Sequence, residues 1–390
     1  MSKNKTFKAL DYRTNKPISV DVENGKICAI SEIIETLDTN YFVAPGLVDL
    51  QINGFKGIDF NSLDLKITDV HEICNILLEK GITSFYPTVI TNSSEAIELL
   101  LTTISTACNN SKKTDACIGG IHLEGPFISF QDGPRGAHSK DFVQAPDWNL
   151  FEKWQKAANG KIKIITLSPE WENSTEFIEK CIKSGVIVSI GHTAATTEQI
   201  QNAIKAGATM STHLGNGCHA MLPRHKNYIF EQLASEKLWS TLIADGFHLP
   251  DSLLKIFLKT KPNKSILVSD ATSFAGLPSG TYKSHIGGNV ELNEDGKLCM
   301  QDNIDMLAGS AQSLLWCVNQ LVKKQITSLQ DTWNMASIKP TEALFGTSNN
   351  FLEVGYKADF VLFEKNINGI QIKQTIKDGE IVFSDLIKNS

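Results

Sequence analysis

The chain has 390 residues, 42% hydrophobic and 21% charged, the composition of a folded globular protein and not of a disordered one. Lysine and arginine number 37 against 43 aspartates and glutamates, a formal charge of −6, which argues against a surface built to grip nucleic-acid phosphates. No apolar run approaches the ~18 residues of a membrane span, and the start, Met1-Ser-Lys-Asn-Lys, lacks the apolar stretch of a secretory signal.

Residues 6–45 alternate in β fashion. Lys16-Pro17 marks a turn, and Asn24-Gly25 stands between Val20-Asp-Val and Ile27-Cys-Ala-Ile, a strong hairpin signal. Eight short apolar runs follow, at 46–52, 82–89, 118–124, 162–168, 186–190, 208–213, 239–244 and 265–269. Continuous runs of this kind suit strands covered on both faces, as in parallel sheets. Apolar residues at helical spacing lie between or after them, in Thr68–Lys80, Ser93–Cys108, Thr197–Ala206, Pro250–Lys259 and Ser310–Lys324. Eight βα units over about 300 residues predict a (β/α)8 TIM-type barrel with insertions. A doubly wound open sheet is the alternative, but no G-x-G-x-x-G follows the first strand. The end of the chain returns to β pattern, with Phe360-Val-Leu-Phe, Ile370–Ile376 and Ile381-Val-Phe around an Asp378-Gly379 turn. The expected organisation is a barrel over 46–345, with a small β-sandwich domain built from both chain ends, 1–45 and 346–390.

A (β/α)8 barrel carries its chemistry at the C-terminal ends of its strands. There the sequence places Gln51 and Asn53 (strand 1), His122 and Glu124 (strand 3), His192 (strand 5), His213 (strand 6), Asp245 and His248 (strand 7) and Asp270 (strand 8). Any one such histidine is ordinarily a satisfied core residue; their clustering is what points to chemistry. Glu124, His192 and His213 form a two-histidine, one-carboxylate set suited to zinc with a position left open for water, or to ferrous iron. His192 and His213 are one βα unit apart, so adjacent strands bring both to one ion. Asp270, at the end of an apolar strand, reads as a general base beside that metal, or as a helix N-cap. His248 reads as a group that orients substrate or polarises its carbonyl, or as a surface histidine opening the next helix. The Gly/Pro-rich segment from Glu124 to His138 reads as an ordered rim loop. The loop after strand 6 carries His219, Arg224, His225 and Lys226, a cluster that invites an anionic group such as phosphate or is simply solvated. Cys218 reads as a free thiol in preference to a soft metal ligand. The eight cysteines show no C-x-x-C, so free, mostly buried thiols and a cytoplasmic location are expected.

Ala44-Pro-Gly-Leu-Val-Asp, His122-Leu-Glu-Gly-Pro-Phe, Gly191-His-Thr-Ala-Ala-Thr, Thr212-His-Leu-Gly-Asn, Ala244-Asp-Gly-Phe-His and Val268-Ser-Asp-Ala together resemble the amidohydrolase superfamily. Within it, with Leu307-Ala-Gly-Ser and Glu353-Val-Gly-Tyr-Lys-Ala-Asp, they most resemble the N-acetylglucosamine-6-phosphate deacetylase family, in order over nearly the whole chain. The resemblance implies that Glu124, His192 and His213 bind one divalent metal per subunit, Zn2+ or Fe2+, and that Asp270 is the catalytic acid/base. It implies that Ala137, His138, Asn216, Gly217 and His248 contact the sugar and its acetamido group, with Leu307, Ala308 and Gly309 lining the site. His248 would join the metal in stabilising the oxyanion. Arg224 falls where an arginine reaches the substrate phosphate from the neighbouring subunit, which implies a homodimer. The expected activity is hydrolysis of the acetamide of N-acetylglucosamine 6-phosphate, in amino-sugar catabolism. Two departures stand out. Gln51 and Asn53 replace the His-x-His that holds a second metal in many superfamily members, and the strand-6 loop differs from the usual family loop. An amidohydrolase for another N-acetylated sugar, an N-acyl amino acid or a cyclic amide is the alternative; a non-catalytic scaffold need not keep the ligand set.

Overall fold

The computed structural model describes residues 4–34, 36–37, 39–284, 288–349 and 351–386. The outermost parts of the expected terminal β domain, residues 1–3 and 387–390, lie outside the described residues. The chain divides into two compact units, one of Leu50–Ile73 and Phe85–Ser313, the other of Met1–Asp49, Cys74–Ser84 and Leu314–Ser390.

Eight strands form one sheet: β1 (Leu47–Ile52), β2 (Ile82–Ile90), β3 (Ile121–Glu124), β4 (Ile162–Leu167), β5 (Ile187–Ile190), β6 (Met210–Ser211), β7 (Trp239–Ile243) and β8 (Ser265–Val268). They are bonded in sequence order, and each pairing from β2 to β8 is parallel. A parallel bridge between Ile52 and Ala271, just past β8, brings the last strand back to the first. The eight apolar runs of the sequence thus become a (β/α)8 barrel. Every residue of β1, β7 and β8 is buried, as two-sided covering requires.

The barrel interior is partly polar. His122 donates from Nδ1 to the Leu50 carbonyl at 3.1 Å, and its Nε2 lies 2.7 Å from the Thr166 hydroxyl. That hydroxyl continues to Thr212 at 2.7 Å, and Thr212 to Ser189 at 2.6 Å. Every member has a partner, so the chain of hydrogen bonds fixes strand register at little desolvation cost. Burial pushes the His122 imidazole down to about 4. His122 is the satisfied core histidine of the set, one layer below Glu124 on the same strand face.

The crossover helices form where capping and spacing favour them. Ser93 caps Ser94–Asn110 through the Ala96 N–H, and Thr196 with Gln199 makes a full capping box on Thr197–Ala206. Past β8 the chain adds a four-stranded antiparallel sheet that its sequence pattern does not predict, of Gly280–Lys283, Asn289–Leu292, Leu298–Met300 and Asn303–Leu307. Its own small core joins Val290, Leu292, Leu298, Ala308 and Ala311.

In the other unit, both chain ends build one seven-stranded sheet, ordered Glu380–Ser384, Gly369–Lys377, Phe360–Asn366, Phe42–Pro45, Lys5–Asp11, Pro17–Glu23 and Lys26–Glu32. Asn24-Gly25 and Asp378-Gly379 turn its outer hairpins with positive φ at both residues (51° and 77°, 48° and 79°), the type I′ geometry that matches strand twist. The two turns abut, and a Cβ on Gly379 would come 2.9 Å from Gly25 Cα. Phe7 and Phe360 meet edge to face at 5.1 Å in the core of this sheet. Among the described residues no helix is long and apolar enough to cross a membrane.

Candidate metal centre and active site

Three strand ends deliver the metal set. Nε2 of His213 lies 3.1 Å from Glu124 Oε1 and 3.0 Å from Nε2 of His192, which is 3.3 Å from the same oxygen. All three side chains are buried. A tetrahedral ion with bonds of about 2.0–2.2 Å holds its donors roughly 3.3–3.6 Å apart, so the triangle fits a small divalent cation with a slight expansion. The tautomer of His192 also fits. Its Nδ1 donates to the Pro134 carbonyl at 2.8 Å, leaving a lone pair on Nε2 inside the triangle. Burial raises the Glu124 carboxyl, but the adjacent His192 and His213 rings outweigh it and hold it well below the usual carboxylate range. Burial lowers the His213 imidazole, and the Glu124 bond and charge reverse this and raise it. A buried carboxylate among these rings calls for a positive charge, supplied by a proton or by a metal ion.

The backbone is bent to make this happen. His192, His213 and Asp270 have φ of 49°, 29° and 46°, in the left-handed region that L side chains rarely adopt. Each stands just past the end of its strand. Such residues cost on the order of 1–3 kcal/mol apiece and persist where the surroundings impose them. Gly217 completes the cradle, since a Cβ there would come 2.8 Å from His192 Nδ1.

A cavity of about 400 Å3 opens over the triangle. Its lining includes Glu124, His192, His213, Asp270, His248, Ala137, His138, Asn216, Gly217, Leu307, Ala308 and Gly309. All the expected metal, catalytic and sugar-contacting residues except Arg224 are therefore brought together. Asp270 is half-buried at the cavity wall, and desolvation followed by the Glu124 charge pushes its carboxyl up to about 6. Its Oδ1 accepts a 2.8 Å hydrogen bond from Asn53 Nδ2. Gln51 donates to Glu124 Oε1 at 2.9 Å. His138 is held by Thr91 at 2.8 Å and stacks edge-on against His192 at 4.4 Å; burial, then the His192 charge, lowers it to about 3, so it is neutral.

Arg224, His225 and Lys226 are exposed, and none of the three is among the residues lining this cavity. His219 pairs with the Tyr228 hydroxyl at 3.0 Å, and the Cys218 thiol donates to the Gly215 carbonyl. Cys218 stays outside the ligand set, and all eight cysteines are free thiols. Sequence reasoning missed the parts played by Thr91 and the Pro134 carbonyl, since nothing in their local pattern marks them.

Residues 42–382 match the profile of the amidohydrolase family. The chain is 31% identical over 380 residues to an N-acetylglucosamine-6-phosphate deacetylase of Lysinibacillus sphaericus, covering 94% of each chain. This chain belongs to the amidohydrolase family, among the N-acetylglucosamine-6-phosphate deacetylases. The amidohydrolase is also 33% identical over 356 residues to the deacetylase of the same name from Caenorhabditis elegans, covering 87% of this chain and 82% of that one. Its fold superposes on the N-acetylglucosamine-6-phosphate deacetylase of Thermotoga maritima with a TM-score of 0.82 at 27% identity, over 99% of this chain and 100% of the other. The amidohydrolase matches the Mycobacterium smegmatis enzyme's fold with a TM-score of 0.85 at 21% identity, over 98% of this chain and 100% of that one.

Proposed function

We propose that this amidohydrolase cleaves the acetamide of N-acetylglucosamine 6-phosphate with water, releasing glucosamine 6-phosphate and acetate, as a step of amino-sugar catabolism. The observation that carries this reading is the convergence of Glu124, His192 and His213 within 3.3 Å beneath a cavity that Asp270 also lines.

The three side chains would hold one divalent cation, with Zn2+ favoured by the nitrogen-rich donor set and Fe2+ the alternative. Such an ion supplies Lewis acidity, polarising the amide carbonyl and acidifying water at neutral pH. Asp270 takes the proton from the attacking water. It then returns that proton to the departing amine, serving as base and then acid. His192 Nε2 is kept bare by the Pro134 carbonyl, and Gln51 orients the Glu124 oxygen. Ala137, His138, Asn216, Gly217, His248, Leu307, Ala308 and Gly309 contact the sugar and its acetyl group in this proposal.

Arg224 lies in an exposed loop outside its own cavity, which supports a homodimer in which it reaches the phosphate of the partner's substrate. Eight free thiols support a cytoplasmic location.

The deciding experiment measures acetate released from N-acetylglucosamine 6-phosphate and from unphosphorylated N-acetylglucosamine, after metal analysis of the purified protein. Rapid turnover of the phosphorylated sugar alone is expected. Equal turnover of both, or of neither beside an N-acyl amino acid, would overturn the reading.

A further inference from the structure

Residues 162–171, which form β4 and the turn after it, are absent from the cavity lining, yet this turn carries a carboxylate bonded to three neighbouring segments. Glu170 Oε2 accepts the backbone N–H of Ala194 at 2.8 Å and the Ser168 hydroxyl at 2.6 Å. The Ser168 oxygen lies 2.8 Å from the Thr193 hydroxyl, whose own oxygen accepts the Ala195 N–H at 3.0 Å. With Ser168 donating to Glu170, Thr193 donates to Ser168, and every hydrogen has an acceptor. The backbone of Glu170 joins in. Its carbonyl accepts Gln199 Nε2 at 3.2 Å, and Gln199 closes the capping box on Thr196. On its other side, Glu170 Oε1 accepts Gln131 Nε2 at 3.2 Å, near the start of the rim loop that supplies the Pro134 carbonyl.

His192 stands directly before this clamped segment, with its φ of 49°. Its carbonyl accepts the Ser129 N–H at 2.8 Å, and its Nδ1 donates to Pro134. The rim loop therefore holds the left-handed turn from one side and Glu170 holds it from the other, and Gln131 ties the two holds together. Such a backbone conformation persists only where its surroundings impose it. We propose that Glu170 is a positioning residue for His192: by accepting hydrogen bonds from the loops after β3 and β5, it keeps the His192 turn in the conformation that puts Nε2 in the ligand triangle. The metal part of this inference rests on the proposed ligand set; the clamp on the turn does not. The role belongs to acceptor geometry and reach, not to charge. Glutamine keeps an oxygen for Ala194 and Ser168, and its NH2 meets Gln131 once that amide turns its own oxygen inward. Aspartate keeps the charge but is one methylene too short.

The test uses full-length protein, with Zn2+ as the probe in competition with a chelator of known affinity, and amide hydrogen exchange of the metal-free protein. Glu170→Ala and Glu170→Asp should each weaken Zn2+ binding about 10- to 100-fold, the range for contacts that support a ligand. Glu170→Gln should stay within about threefold of wild type. Exchange over residues 192–196 should quicken roughly tenfold or more in the first two variants and hold steady in the third. A role confined to the stability of the fold would lower Tm without this pattern of Zn2+ affinity. Wild-type affinity in the alanine or the aspartate variant overturns the proposal, as does a glutamine variant as weak as alanine. If the alanine variant does not fold, the contrast between aspartate and glutamine decides. If the wild type binds no Zn2+, the ligand set itself fails, while exchange over 192–196 still judges the clamp.

Discussion

Asn53 donates its Nδ2 hydrogen to Asp270 Oδ1 across 2.8 Å, joining the end of the first barrel strand to the end of the last. Gln51, two residues earlier, donates to Glu124 at 2.9 Å. These are the two places where the resemblance puts histidines that hold a second metal in other superfamily members. Here both side chains turn hydrogens, not lone pairs, toward the site's carboxylates. The prediction is one tightly bound divalent ion per chain. Elemental analysis of protein purified without chelator checks it, and a stoichiometry near two would refute it.

Asp270 is expected to be required for turnover and to burden the metal-free fold. Its carboxyl is raised to about 6 by burial and the Glu124 charge. The folded state thus holds this proton more tightly than the unfolded chain, where the value is ~3.9. The group's stability contribution is full below ~pH 4 and is lost as pH rises through about 6. In stripped protein at pH near 8, Asp270→Asn should recover on the order of 2 kcal/mol and raise Tm. At pH near 4 the difference should vanish. Asparagine tolerates the positive φ at this position, so the backbone need not change. Reloaded with metal, the variant should keep its ion and lose ~10³-fold or more in kcat. Thermal melts at the two pH values and a single activity assay check this; an active variant with wild-type melts removes Asp270 from its role.

The barrel was legible because burial on both faces writes strands as unbroken apolar runs, and the hairpins because Asn24-Gly25 and Asp378-Gly379 accept positive φ. The sheet over Gly280–Leu307 was not. Its strands are three to five residues long, and the first of them is mostly exposed, so neither length nor alternation separates them from loop. The helix Trp148–Ala157 is not marked as a crossover in the sequence although Asp147 caps it, because a long rim loop separates it from β3. Strand-end position alone selected Glu124, His192, His213 and Asp270. The same criterion also selected His122, which shares the face of Glu124 but sits one layer deeper, bonded to Leu50 and Thr166. Pairings such as Asn53 with Asp270 or Thr91 with His138 join stretches 217 and 47 residues apart. They depend on barrel register and rotamer, which local pattern does not encode.

Arg135 is expected to act on metal affinity from outside the ligand triangle. Its guanidinium binds Asp132 and donates to the His138 carbonyl, clasping the loop that runs from Gly133 to His138. That loop supplies the Pro134 carbonyl that fixes His192 and the His138 ring that packs on it. Arg135→Ala should therefore weaken metal binding about 10- to 100-fold, the usual size of such supporting contacts. Competition with a chelator of known affinity measures it. Lysine offers a point charge in place of the fork and should rescue only in part. Unchanged affinity in the alanine variant would show that the loop holds without its clasp.

Arg224 provides a test of the proposed homodimer that needs no structure of the assembly. The residue is exposed and is not among the residues lining its own cavity. If it serves the neighbouring site, Arg224→Ala and Asp270→Asn chains are each inactive on the phosphorylated sugar for different reasons. In a hybrid of the two, one site pairs an intact Asp270 with the Arg224 of the other chain, and is complete. The second site lacks both. Random mixing at equal concentration makes half the dimers hybrid, each with one working site of two, so unfolding and refolding the mixture should restore about a quarter of wild-type activity. An arginine acting in its own subunit gives hybrids with no complete site, because the Asp270→Asn chain keeps its arginine but lacks the base. Activity of the refolded mixture no greater than that of the separate variants would therefore place Arg224 in its own chain's site or outside catalysis altogether.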